Sequence, residues 1–333
     1  MNELRIMDCT LRDGANVVGK GFDADLTRMM LKGLIESNIK TIEFGNCLGL
    51  GAYEADHSIA PLSDTEYLEL AQPYLNQAEI GMFMGAKNAS DGNIALAARY
   101  GLNFLRIGAN AGDGECAREG IRLVKKYGMV CRYSLMKAYI LSPDELAQEA
   151  KMLEACGLDE ITIMDSAGTM VPDEVSEYVE KMSAAVQIPI AFHGHNNLGL
   201  SVANALAAQK AGATVFDTGL MGMARSAGNC ATELAVAAFQ RKNMMHDVRL
   251  YQLLEFIEKE LAPAMDKYHY RASVSPLDLI YGMAGCHSSF AARFEQIAKE
   301  KGVPLYPLIV KVSAIDRKNP SQELIKKAAD ELK

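Results

Sequence analysis

The 333-residue chain sets 34 lysines and arginines against 42 aspartates and glutamates. Its net charge is −8, with no basic stripe that could follow phosphates, so nucleic acid is not an expected partner. No uninterrupted apolar run approaches the roughly 18 residues of a membrane span, and Met1-Asn2-Glu3-Leu4-Arg5 enters a strand pattern with no basic leader, so the expectation is a cytoplasmic protein without membrane contact.

Seven scattered cysteines without a Cys-x-x-Cys pair fit reduced thiols and not a disulfide framework or a zinc ribbon. Along the chain, short β-type runs alternate with helical stretches. Arg5-Ile6-Met7-Asp8-Cys9 precedes a helical pattern over roughly 23–37, and Thr41-Ile42-Glu43-Phe44-Gly45 is followed by a Gly-rich loop and a helix near 65–77. Further strand cores stand at Ile80–Met84, Phe104–Ile107, Val130–Leu135, Ile161–Met164, Ile190–Phe192 and Val215–Asp217. Helix starts read from Ser142-Pro143-Asp144-Glu145 and Val171-Pro172-Asp173-Glu174, where proline in a first turn loses no hydrogen bond and acids oppose the dipole. Gly101, Gly128, Gly157 and Gly212 read as helix ends. Eight such units favour a (β/α)8 TIM barrel over residues 1–245 rather than an open doubly wound sheet. From 246 to 333 the pattern turns into a helical C-terminal extension: Leu250, Leu253, Leu254, Ile257 and Leu261 recur at near-helical spacing before Pro263 and Pro276 break it.

Barrel chemistry sits at the C-terminal strand ends, and there the unusual residues gather. Strand 1 runs into Asp8-Cys9-Thr10-Leu11-Arg12-Asp13-Gly14, strand 2 carries Glu43, strand 6 ends Asp165-Ser166-Ala167-Gly168, and strand 8 leads to Gly222–Asn229. Strand 7 gives His193-Gly194-His195, whose alternate residues face one side so that both rings can meet one ion. An aspartate with two histidines at one mouth makes a facial triad with open positions, and the carboxylate hardens the site towards Mn²⁺ or Mg²⁺. Arg12 and Glu43 would be a plain ion pair on their own. Beside such a triad, the pair holds a guanidinium aimed at a developing oxyanion. Lys137, at the end of strand 5, could form a Schiff base, but a metal triad makes that second electron sink redundant, leaving a surface or carboxylate-binding lysine. Gly108–Gly114 lacks the lysine of a P-loop and reads as a barrel loop.

Asp8–Gly14, Glu43, His193-Gly194-His195-Asn196-Asn197-Leu198-Gly199-Leu200 and Gly228-Asn229 together resemble the HMGL-like DRE-TIM metallolyase superfamily. Ser201–Asn204, Gly222-Met223, Ala227-Gly228-Asn229 and Gly285–Phe290 resemble its 4-hydroxy-2-oxovalerate aldolase branch most closely. The resemblance implies metal ligation by Asp13, His193 and His195, with Asn229 as a further ligand or a supporting group. It implies Mn²⁺ as the ion, with Mg²⁺, Co²⁺ or Zn²⁺ as alternatives. Arg12 would stabilise an enolate oxygen, Glu43 would orient Arg12, and Ser166 would hold a substrate carboxylate, with Asn16 and Arg225 also at the substrate. The implied activity is a pyruvate-type aldolase cleaving or forming a 4-hydroxy-2-oxo acid through a metal-bound enolate. The alternatives are a Claisen-type acyltransferase joining an acyl-CoA to a 2-oxo acid, and a non-catalytic barrel. In the aldolase branch the extension packs an acylating aldehyde dehydrogenase; a barrel cap or a homo-oligomer surface are the other readings for it here.

The chain departs from that branch at the base. Asn16 stands three residues beyond Asp13, where the aldolases have histidine, and His287 stands where they have tyrosine. Arg225-Ser226 resembles the Claisen-type synthases more than the aldolases. Because a titratable group must reach the 4-hydroxyl proton, His287 is the expected base, with His57 in the strand-2 loop as the second candidate.

Overall fold

The computed structural model describes residues 4–55, 60–270 and 276–333. Among them eight parallel strands close a barrel in sequence order: β1 Arg5–Asp8, β2 Thr41–Phe44, β3 Glu79–Gly85, β4 Phe104–Asn110, β5 Val130–Met136, β6 Glu160–Asp165, β7 Ile190–Gly194 and β8 Val215–Thr218. β8 closes on β1, with Arg5 opposite Val215 and Asp8 opposite Thr218. The result is the (β/α)8 barrel that the alternating units imply, and each strand core read from the sequence overlaps an observed strand.

Both faces of these strands are buried, as parallel strands between helices require. Ile6, Ile42, Ile80, Leu105, Ile107, Ile161 and Ile163 pack outwards into the main hydrophobic core. Inside, Met7, Cys9, Phe104, Ala191 and Val215 form a small separate cluster. Charged side chains stand around that cluster, where barrels ordinarily stack branched apolar layers. Arg132 is buried against the Phe104 ring at 3.9 Å and pairs with Glu79 at 2.7 Å and Glu160 at 3.2 Å. Arg106 is buried above it. Such charges survive in a low dielectric only when each is paired, and each is.

Local signals set the helix ends. Asp23 accepts the Leu26 N–H at 2.9 Å ahead of helix Ala24–Glu36. Ser63 with Glu66, and Ser142 with Glu145, form reciprocal caps. Pro263 does not break the extension as its sequence suggests. The chain stays helical through Leu250–Phe256, a wide turn Ile257–Leu261 and Ala262–Asp266. Ala262 N–H reaches back to Ile257 O, and this π-type turn takes up the hydrogen-bond mismatch that a proline creates. Leu253, Phe256, Leu261 and Met265 on this stretch belong to the barrel's own core. Gly33 admits Phe256: a Cβ there would stand 2.6 Å from the ring. A second cluster, including Tyr281, Phe294, Leu308, Ile309 and Ile325, is built by helices Pro276–Ala284, Ala291–Lys301, Leu305–Ser313 and Gln322–Asp330. No helix of the described residues is long and apolar enough to cross a membrane.

Because Phe256 seals the barrel core, Phe256→Ala is expected to lower unfolding stability by about 3–5 kcal/mol. Urea unfolding followed by circular dichroism checks this, and an unchanged midpoint would mean that the first extension helix adds nothing to the core.

Candidate active site

The turn after β1 is tied down by the carboxylate of Asp8, which accepts the Thr10 N–H at 2.9 Å and the Thr232 hydroxyl at 2.7 Å. Asp13 N–H then donates to Cys9 O at 2.8 Å, and the turn lifts Arg12 and Asp13 to the mouth. His193 stands on β7 and His195 just beyond it. His195 pairs with Asn229 across an antiparallel bridge, while Asn196 N–H donates to Gly228 O at 2.8 Å. Gly228 has φ +85°, and a Cβ there would meet Gly222 O at 2.1 Å, so the Gly228-Asn229 motif records a steric demand.

Asp13, His193 and His195 are all buried, and their ligand atoms lie within 4.8 Å of one another. Asp13 Oδ2 stands 3.6 Å from His193 Nε2 and 3.7 Å from His195 Nε2, too far for hydrogen bonds. Ligand atoms about 2 Å from one shared ion would stand roughly this far apart, so the three fit a divalent cation. Burial pushes His195 down to about 3, against the pull of Asp13, which keeps the ring neutral and able to ligate. Burial opposes ionisation of Asp13 too, but Arg12, both histidines and Arg225 outweigh it and hold the carboxyl well below the usual range. Asn229 Nδ2 donates to Asp13 Oδ2 at 2.9 Å, while its Oδ1 is buried and makes no hydrogen bond among the described residues.

Behind the triad lies a charge network in which the expected Arg12–Glu43 pair is extended by Arg106 and Asp217, two residues that the sequence reading missed. Arg12 Nε donates to Glu43 Oε1 at 2.5 Å. Arg106 grips the same carboxylate, with Nε on Oε2 at 2.5 Å and Nη2 on Oε1 at 2.7 Å, and also pairs with Asp217 Oδ2. That Asp217 oxygen is 3.0 Å from His193 Nδ1, so it fixes which ring nitrogen turns towards Asp13. Burial opposes the ionised form of both acids; Arg106 outweighs it, holding Asp217 at about 2 and, with Arg12, keeping Glu43 below its ordinary value. The signal was present in Phe104-Leu105-Arg106-Ile107 and Val215-Phe216-Asp217, where a charge inside an apolar strand run must be buried and paired.

Arg12, Asp13, Ser166, His193, His195, Arg225 and His287 line one cavity of about 260 Å³, with Phe83, Met136 and Met164 as apolar wall and Cys47 and Lys87 among its other sides. His287 is half-buried, and its Nδ1 accepts the Ser289 N–H at 3.2 Å and lies 2.8 Å from that hydroxyl, while its Nε2 makes no hydrogen bond among the described residues. Burial, then Arg225 and His195, pushes His287 down to about 3. Ser166 Oγ accepts the Lys137 N–H at 2.9 Å. Asn16 is not on the cavity wall: its Nδ2 donates to Asp13 O at 2.8 Å, and its Oδ1 accepts from Arg225 at 3.4 Å. His57 lies outside the described residues. Lys137 does not line the cavity; nor is it the surface or carboxylate-binding lysine expected, since its Nζ donates to Lys318 O at 2.6 Å beneath the extension. Gly112 and Gly114 N–H groups, the cradle of the glycine-rich loop, are occupied by Glu149 at 2.7 and 2.6 Å.

Residues 3–259 match the HMGL-like family. The chain is 32% identical over 327 residues to 4-hydroxy-2-oxovalerate aldolase 2 of Nocardia farcinica, covering 98% of this chain and 94% of that one. It is 30% identical to the 4-hydroxy-2-oxovalerate aldolase of Carboxydothermus hydrogenoformans, covering 99% and 97%. In fold it is similar to the carboxyl transferase domain of Rhizobium etli pyruvate carboxylase, with a TM-score of 0.78, 15% identity and coverage of 99% of this chain and 60% of that one. The match across the barrel, and identities sustained over nearly the whole length, make this chain a member of the HMGL-like family.

Proposed function

We propose that the chain is a divalent-metal-dependent pyruvate-type aldolase, a carbon–carbon lyase that cleaves or forms a 4-hydroxy-2-oxo acid. The observation that carries the reading is the buried Asp13–His193–His195 group standing beside a guanidinium that Glu43 holds in place. Two relatives named 4-hydroxy-2-oxovalerate aldolase support the same class. Asp13, His193 and His195 would hold a divalent ion, Mn²⁺ first among the candidates, which would supply Lewis-acid chemistry to a 2-oxo acid.

The chain's own residues do the rest. Arg12 Nη2 is buried and makes no hydrogen bond among the described residues, so a donor is kept ready for the oxygen that gains charge as the bond between C3 and C4 breaks. Glu43 holds Arg12 beside Asp13, whose Oδ1 is 3.3 Å from Arg12 Nη1. Ser166 orients the substrate carboxylate, and its hydroxyl is positioned by the Lys137 backbone. Arg225 binds the substrate from the loop after β8, and Asn16 serves it by fixing that guanidinium. His287, neutral and with an Nε2 that makes no hydrogen bond among the described residues, takes the proton of the 4-hydroxyl. The imidazolium so formed next to Arg225 needs the substrate's negative charge to offset it, which ties proton transfer to a filled site. His57 is the second candidate for this step. The helices over 276–333 carry His287 to the mouth. An aldehyde dehydrogenase or a second copy of the chain is the partner we assign to their outer surface.

With Mn²⁺ supplied, the protein is expected to release pyruvate from a 4-hydroxy-2-oxo acid and to release no free CoA from acetyl-CoA with a 2-oxo acid; the converse result would make it a Claisen-type enzyme. Arg12→Lys should lower kcat for that cleavage by on the order of 10²-fold with metal content unchanged, whereas loss of metal together with activity would make Arg12 structural. His287→Ala is expected to suppress cleavage by about 10²-fold or more while pyruvate still exchanges its methyl protons with solvent. Since its folded pKa is depressed, the neutral ring persists as pH falls until about 3, so the wild-type kcat/KM profile should show no acid limb near the ordinary histidine value. Full cleavage by His287→Ala would move the base elsewhere.

A further inference from the structure

The cavity receives cations from three separate elements. Arg12 comes from the turn after β1, Arg225 from the loop after β8, and Lys87 from the single turn Ala86–Asn88 that follows β3. Arg12 is matched by Glu43 and lies close to Asp13. Among the described residues neither Arg225 nor Lys87 forms an ion pair with a carboxylate; the polar partner recorded for Arg225 is the neutral amide of Asn16.

The charges can be followed inwards. The buried group holds two cations, Arg12 and Arg106, and three anions, Glu43, Asp217 and Asp13. A divalent ion would bring that group to one positive charge, and the carboxylate of a 2-oxo acid would bring it to zero. Arg225 and Lys87 then remain as two positive charges in the same cavity, on a protein whose net charge is −8. Arg225 is half-buried and can present its planar fork to an oxyanion in two-point contact. Lys87 is exposed at the rim and acts as a solvated point charge. A cavity of about 260 Å³ limits what they meet to a small group.

Resting on the aldolase reading above, we propose that Arg225 and Lys87 form an anion subsite for the aldehyde half of the substrate. The 4-hydroxy-2-oxo acid taken by this chain therefore carries a second anionic group, a carboxylate or a phosphoryl group, beyond C4. Asn16 is a positioning residue for the subsite: its amide joins Asp13 to Arg225, so the metal site and the anion subsite share one brace.

The test uses the full chain with Mn²⁺ and three 4-hydroxy-2-oxo acids that bear methyl, carboxylate or phosphoryloxymethyl on C4, with pyruvate release as the readout. Proton exchange at the pyruvate methyl, which needs no aldehyde, reports the enolising machinery separately. Wild type is expected to prefer one of the anionic substrates over the methyl compound by about tenfold or more in kcat/KM, and which one it prefers separates carboxylate from phosphate. Arg225→Met should collapse that ratio through KM for the anionic substrate. Lys87→Met, an exposed change with little bearing on folding, should reduce it several-fold, by an amount that shrinks as salt is added. Should Arg225→Met fail to fold, the Lys87→Met ratio and its salt dependence decide. Normal proton exchange with no anionic preference, or a ratio unmoved in both variants, would overturn the subsite alone. Absence of exchange would overturn it together with the aldolase reading.

Discussion

A single carboxylate, that of Glu43, is held between two guanidiniums. Arg12 and Arg106 both contact it within 2.7 Å, and Arg106 continues to Asp217, which reaches His193. An ion pair of this kind would contribute little at a surface, but here each member is buried, and removing one would leave a charge uncompensated at a cost of about 3–5 kcal/mol. The network thus fixes together two things that the proposed chemistry needs in register, the guanidinium assigned to the substrate and the imidazole assigned to the ion. Stiffness is the consequence. A group preset towards a developing charge does not spend energy reorganising when that charge forms.

The extension brings its own contribution from the other side of the cavity. Helices over 276–333 enclose their own apolar cluster and deliver His287 to the cavity that Arg12 also lines. Lys137 ties this part to the barrel through Lys318 O, and its own backbone N–H donates to Ser166 Oγ, so the docking of the extension and the placing of the hydroxyl proposed to hold the substrate carboxylate meet at one residue. Lys137 has φ +56°, a left-handed conformation that costs a non-glycine residue energy and is recovered through these two contacts.

Much of the fold was legible because its signals are local. Each strand is a short apolar run, and several helices begin at a capping residue or proline that the next few positions explain. The histidine pair was legible for the same reason, since strand alternation alone puts His193 and His195 on one side. The Arg106 network was not, because Arg106 and Asp217 are 111 residues apart and only closure of the barrel brings them together. Pro263 misled for a different reason: a local breaking signal was overridden by a wide turn and by the burial of Leu253, Phe256 and Leu261 against the barrel. Asn16 illustrates a third limit. The resemblance to the aldolases suggested contact with the substrate, whereas its amide braces Asp13 and Arg225.

Everything proposed for this cavity depends on one ion sitting between Asp13, His193 and His195. Equilibrium dialysis of the chain against Mn²⁺, followed by metal analysis, measures that directly when wild type is compared with Asp13→Ala. The account predicts one ion per wild-type chain and, once the charge-bearing ligand is gone, none retained by the variant, with both proteins folded by circular dichroism. An equal Mn²⁺ content in the two proteins would contradict it.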